Sequence, residues 1–84
     1  MRGLDYTNPQ YSFDDFNHTE DTYTVIKNGV LIGCTRYYGS ILINNNEIFR
    51  GYNSGDDYYT VFFPVSKDDI ITLKTGYFRV FSYL

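Results

Sequence analysis

Short runs rich in Val, Ile, Thr, Tyr and Phe recur along this chain, each closed off by Asn, Gly, Asp or Pro. No window of eleven residues carries an apolar period of 3.6. Such a pattern leaves strand as the only regular structure that repeats. Composition points the same way: ten tyrosines and seven phenylalanines stand beside one methionine, no tryptophan and no alanine, the strongest helix former.

About seven short strands are expected, making an all-β, small antiparallel β-sandwich. A first strand near 10–14 follows Asn8-Pro9. The segment 22–26 leads through Lys27-Asn28-Gly29 into 30–37, and Asn-Gly is the strongest short-range turn signal. Segments 40–44 and 47–52 read as hairpin arms around Asn44-Asn45-Asn46, because asparagine tolerates positive φ better than other side chains. Segment 58–63 stops at Pro64, which cannot donate to a ladder. Segments 69–74 and 77–84 close the chain, separated by Lys74-Thr75-Gly76.

With 84 residues the chain holds one domain, 1–84, in which 1–9 reads as an extended N-terminal arm. A domain this small buries only roughly 60–65% of the surface its unfolded chain exposes, so its core needs a supplement. The single cysteine, Cys34, excludes an intrachain disulfide, which leaves a metal or partner subunits. Cys34 follows Val30-Leu31-Ile32-Gly33, where a thiol behaves as a small hydrophobe and suits a reducing cytosol. The net charge is -3 and the seven basic residues are scattered, so no nucleic-acid footprint is expected. The start MRGLDYTNPQ has no apolar export signal, and no apolar run approaches the roughly 20 residues that span a bilayer. We expect neither standard export nor membrane insertion.

Two strands are apolar on both faces. In 58–63 one face reads Tyr59, Val61, Phe63 and the other Tyr58, Thr60, Phe62; in the last strand Phe78, Val80 and Leu84 oppose Tyr77, Phe81 and Tyr83. A sandwich strand normally turns one polar face to water. The second face is therefore covered by another subunit, exposed as a binding patch, or kept wet by tyrosine hydroxyls. Oligomerisation is the expectation, with Tyr58, Thr60, Phe62, Tyr77, Arg79, Phe81 and Tyr83 at the interface.

Catalytic chemistry finds little support. The acidic pairs Asp14-Asp15, Asp56-Asp57 and Asp68-Asp69 lack the spacing of a calcium loop, and aspartates at turns usually bond the local backbone. His18, the only histidine, lies in a polar loop, and the glycines spell neither G-x-G-x-x-G nor a P-loop. No enzyme activity, metal or cofactor is expected. Tyr37, Tyr38 and Tyr52, with Asp56 and Asp57, are candidate ligand contacts that stack on sugar rings or anchor a protein partner; the plainer alternative is that they pack within and between subunits.

The order of short motifs carries one further indication. YTVIKNGVLIG, ILINNNEIF and PVSKDDIITL precede a terminal aromatic strand, and Asp5-Tyr6-Thr7-Asn8, Tyr23-Thr24, Asn28-Gly29, Pro64-Val65 and Lys67-Asp68-Asp69-Ile70-Ile71 follow in sequence. In this order the chain resembles the small β-sandwich heads of bacteriophage fibre proteins. Asp68 stands where that pattern has glycine, and aspartate is among the residues that visit the left-handed region. The resemblance implies a homotrimeric, jelly-roll-like structural protein of the virion, a head or tail fibre without catalysis. It would be assembled in the bacterial host cytoplasm and attached to capsid or other fibre components. Two alternatives stand beside it: a module at a fibre tip binding a host-surface glycan, and a small phage inhibitor of a host defence enzyme.

Overall fold

A computed structural model describes residues 3–51 and 58–84; the side chains of 14–19, 36–38 and 58 lie outside the description. The chain is all-β. Its strands are β1 (Tyr11–Thr24), β2 (Gly29–Ile43), β3 (Asn46–Arg50), β4 (Tyr58–Val65) and β5 (Ile70–Ser82). All pair antiparallel in one sheet of order β1-β5-β2-β3, with β4 also beside β2. Each short run read from the sequence contributes to a strand, but three pairs of them are joined: β1, β2 and β5 each continue through a stretch that reads as a break. Pro64 does not end its strand either. It sits within β4 opposite Val30, tolerated because β4 is an edge strand.

The joins share one level of the sheet. Along β5, Gly76 pairs with Asp15 of β1 and Thr35 of β2, while Lys74 pairs with Glu20 and Ser40. Thr75 alone thus stands against 16–19 on one side and 36–39 on the other. Its φ is 58° and that of Gly76 is 159°; the extra residues of this wide, bulge-like irregularity belong to β1 and β2, and at Thr75 the faces of β5 swap. Before the bulge Ile71 and Leu73 point inward; after it Phe78 and Val80 do. Gly76 has no substitute here, since a Cβ would lie 1.9 Å from the Cys34 carbonyl oxygen.

With three strands creased at one level, the sheet curls over a single core. Val25, Ile41, Ile71 and Leu73 come from one half, Leu31, Val61, Val65, Phe78 and Val80 from the other, and all belong to one buried cluster.

The turns use their polar residues as the sequence suggests. Asn44 and Asn45 have φ of 53° and 66°, the paired left-handed geometry of a two-residue hairpin. The Asn44 amide donates to Asp69 Oδ1 at 3.0 Å and its Oδ1 accepts from Ile70 N at 2.8 Å. Asp68 takes φ 76°, and the Asp69 carboxylate accepts from Ser66 N at 2.8 Å. The chain also turns before Gly29, but β1 and β2 form no hairpin because β5 lies between them. Gly29 serves instead for close approach: a Cβ there would fall 1.9 Å from the Phe81 carbonyl oxygen.

Candidate interaction face

Strands β4, β2 and β5 run side by side over 29–35 of β2, and registration places their outward residues in rows. Pro64, Val30 and Phe81 form one row, Phe62, Ile32 and Arg79 the next, Thr60, Cys34 and Tyr77 the third. The residues between them, Leu31, Val61, Phe78 and Val80, point into the core. Strand alternation therefore gives this half of the sheet two apolar faces.

The centre of the face is filled and its flank stands proud. Val30 and Cys34 are buried, whereas Phe62 is 59% exposed. At one end the Tyr6 ring leans on Phe81, centroids 5.4 Å apart. Among the described residues of the face Arg79 is the only charge, its guanidinium 5.5 Å from the centre of the Tyr77 ring, within reach of a cation–π attraction.

Across the crease the same strands show a different outer surface. Glu20 and Lys74 pair at 3.3 Å, the Thr22 and Thr72 hydroxyls meet at 3.4 Å, and Arg50 grips Glu47 at 2.6 and 2.8 Å. That half turns polar groups to water, as an exposed sheet face normally does. Ile70, 45% exposed, is the apolar exception on that half; the contiguous apolar rows belong to the half that carries β4.

Of the interface residues named from sequence, Thr60, Phe62, Tyr77, Arg79 and Phe81 come together on this face. Tyr83 continues the alternation one step beyond β5, exposed, in an isolated bridge with Leu4. Tyr58 begins β4, but its side chain lies outside the described residues, as do the side chains of Tyr37 and Tyr38. Tyr52, Asp56 and Asp57 lie outside them altogether. One assignment is corrected: Leu84 does not join Phe78 and Val80 but is 69% exposed, because β5 ends at Ser82 and Leu84 N is bonded to the Gly3 carbonyl at 2.9 Å. Sequence reasoning missed the centre of the face, Val30, Ile32 and Cys34, and the Tyr6 cap. The unbroken apolar run Val30-Leu31-Ile32 was the available signal, since three apolar neighbours on a strand make both its faces apolar.

Among the described residues the face carries contact chemistry and no reactive group. Burial pushes the Cys34 thiol above its ordinary pKa, so the sulfur stays protonated and weakly nucleophilic. Among the described residues no three His, Cys, Asp or Glu side chains gather as a metal site would require. Compared with protein-family models, curated proteins and solved structures, the chain matches none.

Proposed function

We propose that the chain is a structural protein of a bacteriophage virion, a head or tail fibre subunit that works as a homotrimer and catalyses nothing. The two halves of the curled sheet then act as the layers of a small jelly-roll-like sandwich. Copies meet through the β4-β2-β5 face, and the assembled fibre joins capsid or other fibre components.

The contrast between the two outer faces carries this proposal. One half pairs its outer charges and hydroxyls with each other, while the other presents Phe62, Ile32 and Phe81 around Arg79. Contiguous apolar surface of this kind marks a contact site rather than a solvated one. The order of the sequence motifs supplies the viral context.

Sedimentation of the purified chain, together with antibody labelling of phage particles from cells expressing it, tests the proposal. A trimer in solution and label on the particle are expected. A monomer of about 10 kDa, or a chain absent from particles and co-purifying with one host enzyme, would overturn it.

A further inference from the structure

We infer that the Asp5–Asn8 turn is an interface element: it fixes Tyr6 over Phe81 as the exposed anchor through which a second copy of the chain docks. This rests on the proposed self-association and names a part of it that the strands alone do not supply.

The turn is built by one side chain. Asp5 Oδ1 accepts from Thr7 N at 3.0 Å and from Thr7 Oγ1 at 2.5 Å, the Asx geometry by which aspartate closes a local turn. Both bonds hold the Asp5 carboxyl below its ordinary pKa. The arm is tied to the end of β5 by Asp5 N to the Ser82 carbonyl and Gln10 N to the Val80 carbonyl, each at 2.8 Å. Between these ties the chain leaves the sheet and lays the Tyr6 ring against Phe81, the residue still 63% exposed. A tyrosine fixed by its backbone and packed on one side loses little entropy when its other side is covered, which makes it an effective anchor.

Area shows why the face needs such an extension. Seven residues along three strands cover about 23 by 14 Å, on the order of 300 Å², whereas a stable contact buries about 800 Å² per partner. A covering molecule must reach past the strands, and Tyr6 is, with Tyr83, an exposed aromatic side chain contiguous with them.

Charge selects a second copy as that molecule. The face carries Arg79, while β1, an edge strand bonded only to β5, holds Asp14, Asp15, Glu20 and Asp21 and no lysine or arginine; Glu20 already pairs with Lys74 and Asp21 accepts from Tyr11, and the strand as a whole stays acidic. One chain therefore bears both a cationic apolar face and an acidic edge. Opposed face to edge they make a head-to-tail contact of the kind that closes rings.

Sedimentation equilibrium on the full chain and on Tyr6→Ala, Asp5→Ala and Asp5→Asn tests the inference, with melting followed over a range of protein concentrations. Tyr6→Ala and Asp5→Ala should each raise the dissociation constant at least about tenfold. Asp5→Asn, whose amide oxygen still accepts from Thr7, should assemble like the parent. If the parent is oligomeric and Tyr6→Ala assembles as tightly, or melts lower by the same amount at every concentration, Tyr6 acts inside the subunit and the inference falls alone. A monomeric parent would remove both this inference and the proposed function, leaving the face to a different protein.

Discussion

Tyr11 and Tyr23 stack with ring centroids 4.1 Å apart and planes 14° from parallel, although they lie twelve positions apart on one strand. A straight strand would separate them by about 40 Å. The stack is thus direct evidence that β1 doubles back at the crease and brings the two halves of the sheet together. Polar bonds fix the contact. Tyr11 donates its hydroxyl to Asp21 Oδ2, and Tyr23 donates to Gln10 Oε1 at 2.7 Å. The same Gln10 oxygen accepts from Ile26 N at 3.0 Å, and its amide donates to the Lys27 carbonyl and Ser82 Oγ, each at 2.8 Å. One side chain thereby joins the start of β1, the link to β2 and the end of β5.

The Tyr11 phenol should make stability depend on alkali. Burial, and after it the bond to Asp21, pushes its pKa up to about 12 from 10.0. The folded state then holds a proton that the unfolded chain releases earlier, so this contribution is complete below pH 10 and lost as pH rises towards about 12. Tyr11→Phe should cost about 1.5–3 kcal/mol at neutral pH through the lost bond to a carboxylate and should flatten the fall between pH 10 and 12. Urea midpoints of both proteins across that range measure it; parallel curves would show that Tyr11 is not the group responsible.

Gly76→Ala should abolish cooperative folding. The added methyl would meet the Cys34 carbonyl oxygen at 1.9 Å, and β5 lies between β1 and β2, so neither side of the strand can yield. A chain of this size has a total stability of roughly 4–13 kcal/mol, and displacing backbone at the crease takes much of it. Gly3→Ala, whose methyl would meet only a Leu84 side-chain carbon at 3.8 Å, should change stability by less than about 0.5 kcal/mol. Circular dichroism melts of the two variants give the comparison.

Thr35→Val should stabilise the protein. Thr35 is wholly buried and its Oγ1 has no hydrogen-bond partner among the described residues, so the folded state bears the desolvation of a hydroxyl without return. Valine keeps the shape and removes the group, for a gain of about 1 kcal/mol. Thr35→Ser keeps the hydroxyl, removes the methyl and should lose about 1 kcal/mol. Opposite shifts of the urea midpoint are expected; equal losses would mean that the hydroxyl is satisfied in solution.

Sequence alone made the turns and the alternation of faces legible, because each depends on near neighbours. Asn44, Asn45 and Asp68 adopt positive φ where their side chains suit it, and Thr60, Phe62, Tyr77, Arg79 and Phe81 share a face because the strand period is two. The crease was not legible. Lys74-Thr75-Gly76 has the local chemistry of a reversing turn, yet the chain runs on, since pairing with β1 and β2 on both sides of Thr75 outweighs the local preference. For the same reason Asn28-Gly29 turns the chain without making a hairpin: β5, more than forty residues later, takes the place beside both strands. The middle of the interaction face was hidden because Val30, Ile32 and Cys34 become a surface only when β4 and β5 flank them.

Neighbouring substitutions on β5 should fail in different ways. Val80 has no exposed surface and belongs to the core cluster, so Val80→Asp buries a charge without a partner and should unfold the subunit. Phe81 points outward, half-buried beneath Tyr6 and beside Val30. There a carboxylate reaches water in the free subunit but not in a covered face. Phe81→Asp should keep the β-sheet signal by circular dichroism and sediment as a monomer. If it remained an oligomer as tight as the parent, the β4-β2-β5 face would not be the contact surface; if it unfolded as Val80→Asp does, the outer layer would be part of the subunit's own core.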